Sequence, residues 1–314
     1  MANKNIKLAA AQTAPVYHDK EATVEKACQW IQTAGEENVD VVVFPETFIP
    51  GYPYWRGCSD LARWNELMVE LQNNSVDPNG DEISTLEKAS KEANTAVIMG
   101  ATESSSKHGS ETLYNSLLFF DPDSGFLGSR RKLMPTHHER SIWGRGQAEG
   151  ITSFSSSVGE LSGAVCYENH MSLLKSALSN TGEEIHAAVW PGFWEQHGNP
   201  CDRSRAESQE AKLSCDIYAC VRQYAFENQT FVVSSSPYME TPIEGYPEIS
   251  EFNMAAGGSM IVNPAGIVKE GPIIDKEELL TATVDMQERN ETKAYFDSVG
   301  HYTRPDIFDL SIKR

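Results

Sequence analysis

The chain has little positive charge and no long hydrophobic run. It carries 26 Lys and Arg against 45 Asp and Glu, a formal net charge of −19. That balance argues against non-specific binding to nucleic acid or to an anionic membrane. No apolar segment approaches the roughly 20 residues of a transmembrane helix. The opening residues, Met-Ala-Asn-Lys-Asn-Ile-Lys, lead straight into a strand, without the apolar stretch and cleavage site of a secretory signal. Six cysteines, at 28, 58, 166, 201, 215 and 220, form no CxxC pair; in a chain of 314 residues without a signal they read as reduced thiols of a cytoplasmic protein. Asn73-Asn-Ser75 and Asn228-Gln-Thr230 match the glycosylation pattern but are idle on the same reading.

Other absences narrow the chemistry. There is no GxGxxG, no Walker A loop, no GxSxG elbow and no HExxH. His137 and His138 are adjacent, and neighbours on a chain rarely point at one ion. No Cys or carboxylate stands at customary zinc spacing from them, so neither a metal nor a cofactor is expected. No linker rich in Gly, Ser or Pro divides the chain, and no short repeat or low-complexity tract occurs in it. The expectation is one domain over residues 1–314 with a short C-terminal tail from about 298, large enough for a sizeable core.

What is present alternates between two periods. Ile6 to Gln12 reads as a strand, and Val24, Ala27, Cys28, Ile31 and Ala34 recur at helical spacing. Asp40-Val-Val-Val-Phe-Pro-Glu46 is β-branched, too short for a helix and stopped by Pro45, so it reads as a buried parallel strand. Helices follow around Leu61–Leu71 and Ile83–Ala93, then a strand over Thr95–Thr102. Leu113–Phe120 and Phe126–Arg131 form a hairpin about Asp121-Pro-Asp-Ser-Gly125, and a loop runs from Leu133 to Gly150. A strand enters Cys166, and a helix begins near Met171. The later pattern predicts strands at Glu184–Trp190, Phe231–Ser236, Gly257–Val262, Ile267–Lys269 and Leu280–Val284, a long helix over Arg203–Glu227 and a last one over Met286–Phe296. This is a mixed-sheet α/β protein with helices outside. One coarse echo is visible: Phe44-Pro-Glu46 and Val165-Cys166 both end strands on a reactive residue, each followed by a loop and a helix. In such folds ligands bind at the carboxyl ends of strands.

Three residues stand at those punctuation points. Cys166 ends an apolar strand at a turn into a helix, where a thiolate is reachable and favoured by helix-end amides. Taken alone it reads more readily as a small core residue. Glu46 closes a buried strand, and by itself is a capping or solvated carboxylate. Lys132 follows Arg130 and Arg131 at the end of the hairpin, and by itself belongs to a solvated basic patch. As a set the three are a base, a cation and a nucleophile. That set suits attack on a carbon doubly or triply bonded to a heteroatom.

The motifs that contain these residues resemble the nitrilase family of carbon-nitrogen hydrolases, and more narrowly its nitrilase branch. They run in family order from about residue 6 to 310: Phe44-Pro-Glu-Thr-Phe-Ile-Pro-Gly-Tyr-Pro53, Arg131-Lys-Leu-Met-Pro-Thr-His-His-Glu-Arg140 with Trp143-Gly144, and Cys166-Tyr-Glu-Asn169. Trp190-Pro-Gly192, Gly257-Gly-Ser259 with Asn263-Pro-Ala-Gly266, and Val299-Gly-His-Tyr-Thr-Arg-Pro305 complete the series. Gly51-Tyr-Pro53 and Thr136-His137 ahead of Glu139 look more like nitrilases than like the amidases of the family. Two features depart from it: Tyr167 stands where nitrilases usually have Trp, and Gly144-Arg-Gly-Gln-Ala-Glu-Gly150 replaces a more compact pattern. The chain also ends soon after Arg304-Pro305, where many nitrilases continue with a tail that helps assemble filaments.

The resemblance implies a four-layer αββα sandwich with Cys166 as nucleophile, Glu46 as general base and Lys132 stabilising the charge that develops on nitrogen or oxygen. The backbone N–H of Tyr167 would join Lys132. Glu139 matches a second family glutamate, either a positioner of Lys132 or substrate, or a structural ion-pair partner. The substrates implied are a small-molecule nitrile and water, with no nucleic acid, membrane or cofactor, in a homodimer or larger homo-oligomer. Loops beyond strand ends offer Tyr54, Trp55, His138, Trp190, Phe193 and Trp194 as pocket walls, each of which reads equally as core or subunit packing. Two other readings stay open: an amidase or carbamoyl hydrolase with the same thioester chemistry, and a non-catalytic assembly protein of the same fold.

Overall fold

The computed structural model describes residues 5–192, 217–240, 243–249 and 255–313. Two six-stranded sheets form its centre. The first contains β1 (Asn5–Gln12), β2 (Val41–Val43), β3 (Ala96–Ser104), β4 (Leu113–Asp121), β5 (Gly125–Arg131) and β12 (Glu278–Asp285), in the order β12-β1-β2-β3-β4-β5. The second contains β6 (Phe154–Ser155), β7 (Glu160–Val165), β8 (Ile185–Val189), β9 (Phe231–Ser235), β10 (Gly257–Val262) and β11 (Val268–Ile274), in the order β11-β10-β9-β8-β7-β6. Each sheet has three parallel strands, β1-β2-β3 or β7-β8-β9, flanked by an antiparallel pair on one side and a single antiparallel strand on the other. The echo seen in the sequence is therefore a repeat of topology. The second half of the chain rebuilds the first, and β12 and β6 close the two copies.

The burial pattern explains the layers. Along β1, Leu8 and Ala10 point into the core between the sheets, while Ala9 and Ala11 face the helices outside. Val41 and Val43 against Val42, and Ala96 and Ile98 against Val97 and Met99, repeat the alternation on β2 and β3. Both faces are covered, which is why these strands are apolar without a break. The inner faces meet residues of β7 to β10, such as Val165, Ile185, Val189, Val233 and Ile261. Outside the first sheet lie α1 (Lys20–Glu36) and α3 (Asp81–Ala93), which bury Val24, Ala27, Ile31, Ile83 and Leu86. Outside the second lie α4 (Ser172–Ser179) and α5 (Ile217–Asn228), burying Leu174, Leu178, Val221 and Tyr224. The result is the αββα sandwich. Further helices are α2 (Leu61–Asn73), whose Leu67 and Leu71 sit under an aromatic loop cluster, and α6 (Gln287–Tyr295) ahead of the tail. Aspartates start α1 and α2: Asp19 accepts from the Ala22 N–H, and Asp60 from those of Ala62 and Arg63.

The departures from the sequence expectations are local. β2 pairs over only Val41–Val43 rather than running to Glu46. Pro45 has no N–H to continue a ladder, and the chain leaves the sheet there to cross β3. The expected helix start at Met171 is preceded by one turn of 3-10 helix over Cys166–His170. β11 is longer than Ile267–Lys269 suggested, because Pro272 is accommodated at a sheet edge. Of the long helix expected over 203–227, only residues from 217 lie within the described residues.

The crossing at Pro45 rests on Gly100. A Cβ on Gly100 would lie 1.9 Å from the Pro45 carbonyl oxygen and 2.9 Å from the Glu46 Cα, backbone that has no rotamer with which to yield. Gly100→Ala is expected to lower the thermal midpoint, at a cost of about 1–3 kcal/mol for overpacking. It should also depress turnover through displacement of Glu46. Differential scanning calorimetry beside an activity assay checks this, and wild-type values in both would refute the close approach.

Candidate active site

Glu46, Lys132 and Cys166 stand beyond the carboxyl ends of β2, β5 and β7. Sheet stacking brings these ends together. The Glu46 N–H reaches across to the Trp190 carbonyl just past β8, at 3.3 Å. Lys132 keeps one more ladder bond, its N–H donating to the Asn115 carbonyl at 2.7 Å, so its side chain leaves a rigid hairpin.

The Lys132 ammonium is wholly buried between two carboxylates. It donates to Glu46 Oε1 at 3.0 Å and to Glu139 Oε2 at 2.8 Å. The solvated basic patch that Lys132 suggested in isolation is thereby excluded: Arg130 and Lys132 turn inward to separate carboxylates, and Arg131 pairs with Glu103. Asn115 Nδ2 donates to Glu46 Oε1 at 2.6 Å, and the Tyr52 hydroxyl to Glu139 Oε1 at 2.6 Å. Glu139 also accepts from the Thr136 N–H at 2.7 Å, the reciprocal half of a capping box on a single 3-10 turn, His137–Ser141. That turn explains how a carboxylate between exposed His138 and Arg140 is buried.

One cation between two carboxylates leaves a net negative charge out of water. Burial raises the Glu46 pKa most; Lys132 pulls it down and Glu139 pushes it up, to a balance at about 7. Burial alone would lower the Lys132 pKa, but Glu139, Glu46 and Cys166 together raise it well above the usual lysine range. The site therefore holds a permanent cation and a carboxylate that changes protonation near neutrality. Glu46 Oε2, the oxygen that Lys132 and Asn115 do not use, is buried without a hydrogen-bond partner among the described residues. It is the oxygen left to take a proton.

Cys166 is buried and its φ is +54°, in the left-handed region that a non-glycine residue adopts only when its surroundings hold it there. The next residues supply the hold. Glu168 Oε2 accepts from the Val165 N–H at 3.0 Å, and Oε1 from the Leu133 N–H at 2.8 Å. Buried Arg130 grips the same carboxylate with both terminal nitrogens, at 2.7 and 3.0 Å. Burial pushes the Glu168 pKa up, but Arg130, with the Val165 and Leu133 N–H groups, holds it below the ordinary value. The Arg130–Glu168 pair thus ties the Lys132 hairpin to the cysteine turn.

The expected pocket walls separate. Tyr54 is buried beside Glu46, in a narrow cavity that Tyr52, Thr47 and Pro237 also line, and its hydroxyl donates to the Pro191 carbonyl. Trp190 is buried in the inter-sheet core with its Nε1 donating to Ser234 Oγ at 3.1 Å. Trp55 faces away into the aromatic loop cluster, donating to His18 Nε2 at 3.3 Å. His138 is exposed, its ring edge-on to His137. For Trp55 and Trp190 core packing accounts for the position. Phe193 and Trp194 lie outside the described residues. The half-buried Tyr167 follows the cysteine within the 3-10 turn. Sequence reasoning missed Asn115, Tyr52 and Arg130 as site residues. Asn115 sits in an ordinary strand; Tyr52 lay inside the quoted Gly51-Tyr-Pro53 motif and Arg130 stood two residues from an already suspect lysine. Among the described residues no group of His, Cys, Asp and Glu is arranged to hold a metal ion.

Comparison with known proteins gives the family. Residues 7–294 match the family described as carbon-nitrogen hydrolase. The chain belongs to the carbon-nitrogen hydrolase family. It is 35% identical over 312 residues to a protein named nitrilase 2 from an unknown prokaryotic organism, covering 98% of this chain and 93% of that one. It is 32% identical over 328 residues to nitrilase 3 of Arabidopsis thaliana, covering 99% and 87%. Among solved structures, a carbon-nitrogen hydrolase from Helicobacter pylori superposes with a TM-score of 0.74 at 19% identity, over 97% of each chain. That likeness is one of fold.

The hydrolase site makes a pH prediction. Activity should fall on the acid side with an apparent pKa near 7, as Glu46 takes up its proton. Asn115 stabilises the charged form of Glu46, so Asn115→Ala should move that acid limb to higher pH and lower kcat/KM most below neutrality. A kcat/KM profile between pH 5 and 9, on the order of the range where such a limb is resolved, decides it; an unmoved or downward-shifted limb would separate the profile from Glu46.

Proposed function

We propose that this carbon-nitrogen hydrolase is a nitrilase, converting an organic nitrile and two waters to a carboxylic acid and ammonia. The observation that supports the reading most is the buried Lys132 ammonium shared by Glu46 and Glu139, in a chain similar over nearly its whole length to proteins named nitrilase.

The chemistry follows from those groups. A thiol of ordinary pKa near 8.5 is mostly protonated at neutral pH, so Glu46 accepts the Cys166 proton as sulfur bonds to the nitrile carbon. The nitrile nitrogen gains the electron pair and then the proton that Glu46 took from Cys166, giving a thioimidate and leaving Glu46 ionised. Lys132 and the Tyr167 N–H stabilise that charge. Glu46 next takes a proton from water, whose oxygen adds to the same carbon. Protonated nitrogen leaves as ammonia and a thioester remains. A second water, activated in the same way, releases the acid and restores the thiol. Expulsion of the thiolate in place of ammonia releases an amide. Glu139 acts through Lys132, holding it with help from Tyr52.

Two outcomes test this. Ammonia, acid and amide are measured for a panel of aliphatic, aromatic and arylacetonitriles beside their matching amides. Acid and ammonia from nitriles are expected with wild type and absent with Cys166→Ala. Ammonia from amides alone would reassign the protein as an amidase. Lys132→Ala is expected to lose roughly 10²-fold or more in kcat, the usual consequence of removing a donor to a developing anion, while circular dichroism stays that of a folded chain. Normal turnover by that variant would remove Lys132 from the mechanism.

A further inference from the structure

Behind the cysteine turn lies a chain of buried polar groups that the reaction just described does not use. Asn169, three residues after Cys166, is 1% exposed. Its Nδ2 donates to the Cys166 carbonyl at 3.0 Å and to the Ala164 carbonyl at 3.1 Å. Two carbonyl acceptors fix which end of the amide is nitrogen. Oδ1 must then be the atom that faces His186 Nε2, at 3.0 Å, and that ring nitrogen carries a proton. His186 lies in β8, fully buried and stacked on Tyr224 with ring centroids 3.8 Å apart. Its Nδ1 stands 2.9 Å from Glu183 Oε2. Glu183 is in turn saturated: Ser162 Oγ donates to Oε2 at 2.5 Å, and the Tyr224 hydroxyl and Asn228 Nδ2 donate to Oε1 at 2.8 and 2.9 Å.

An exposed helix face does not need such an assembly. Burying a glutamate, a histidine and an amide together costs desolvation that an apolar cluster of equal volume avoids. What the assembly does accomplish is mechanical. It reaches from α5 and β8 to two carbonyls at the strand end, those of Ala164 and of Cys166, the residue whose φ is +54°. The Cys166–Tyr167 peptide is trans, so its C=O and N–H point in opposite directions from one rigid plane. Fixing the Cys166 oxygen on the Asn169 side fixes the Tyr167 N–H on the other.

We propose that Asn169, braced by His186 and Glu183, is a positioning residue that orients the Cys166–Tyr167 peptide so that the Tyr167 N–H meets the anion formed when Cys166 attacks. This rests on the nitrilase reading above, in which Cys166 is the nucleophile. Asn169 touches neither substrate nor sulfur in this scheme; it acts through the peptide.

The experiment pairs turnover with alkylation of the same thiol. In alkylation by iodoacetamide, sulfur displaces iodide from a saturated carbon and no charge builds on a carbonyl oxygen or nitrile nitrogen. Its rate at Cys166, followed by peptide mass spectrometry, reports the thiol but not the oriented N–H. For Asn169→Ala we expect kcat on the best nitrile to fall about 10²-fold, the size of losing one such donor. KM and the Cys166 alkylation rate should stay within roughly threefold of wild type. His186→Leu should show the same split in weaker form, and His186→Gln, which keeps a donor toward Asn169, should recover most of that loss. The His186 pair carries the test if Asn169→Ala does not fold. Parallel loss of turnover and alkylation would make the cluster a structural support of the thiol and overturn the proposal. So would unchanged kcat in Asn169→Ala, or equal activity of His186→Leu and His186→Gln. Failure of the nitrilase reading is visible separately: wild type would then show no turnover that Cys166→Ala abolishes.

Discussion

The Lys132 ammonium is the interaction on which the rest of this site depends. It is an unscreened cation in the interior, and it persists only because two carboxylates meet it at hydrogen-bond distance. Removing Lys132 would leave two buried carboxylates without a counter-charge, which is far more costly than never burying the group. The arrangement is deliberately unbalanced. Two carboxylates compete for one lysine, and the surplus negative charge, together with burial, is what holds Glu46 near a pKa of about 7. Glu139 accepts three hydrogen bonds, from Lys132, Tyr52 and Thr136, and these hold its charge in place. Glu46 accepts from Lys132 and Asn115 through one oxygen only, and the other has no hydrogen-bond partner among the described residues.

Each partner of Lys132 comes from a different part of the chain, so the fold must hold them in register. The sandwich does this by placing the ends of β2, β5 and β7 at one rim. Gly100 lets the strand bearing Glu46 cross β3 at backbone contact. Arg130 and Glu168 clamp the hairpin bearing Lys132 to the turn bearing Cys166. Two residues one apart on that hairpin thus serve opposite ends of the site: Arg130 fixes the geometry of the turn bearing Cys166, and Lys132 pairs with Glu46 and Glu139. The strained backbone at Cys166 is maintained by Glu168 on one side and Asn169 on the other.

The topology repeat gives the architecture a reason. Each half of the chain makes a sheet with one face buried against its counterpart and the other against helices, so neither half buries its inner face alone. The groups of the candidate site are unequally divided between the halves, Glu46 and Lys132 in the first and Cys166 in the second. The site exists only where the two meet.

Much of this was legible in the residues. Uninterrupted apolar triplets such as Val41-Val-Val43 read as strands covered on both faces, because an exposed face would require polar alternation. The period of three and four in α1 and α3 read as helices lying on them. The positions of Glu46, Lys132 and Cys166 at strand ends, and the family resemblance of the motifs around them, singled out the reactive set. The identity of the set was local information: a carboxylate, an amine and a thiol at the points where apolar strands stop. What only the tertiary structure decided is which polar atoms face one another. Nothing in the spacing tells that Arg131 pairs outward with Glu103 while Arg130 and Lys132 turn in, that His138 is exposed while Glu139 beside it is buried, or that Asn115, Tyr52 and His186 reach the site at all. These are contacts across tens of residues, set by how two sheets stack and by the need of every buried polar group for a partner, and that need has no period along the chain.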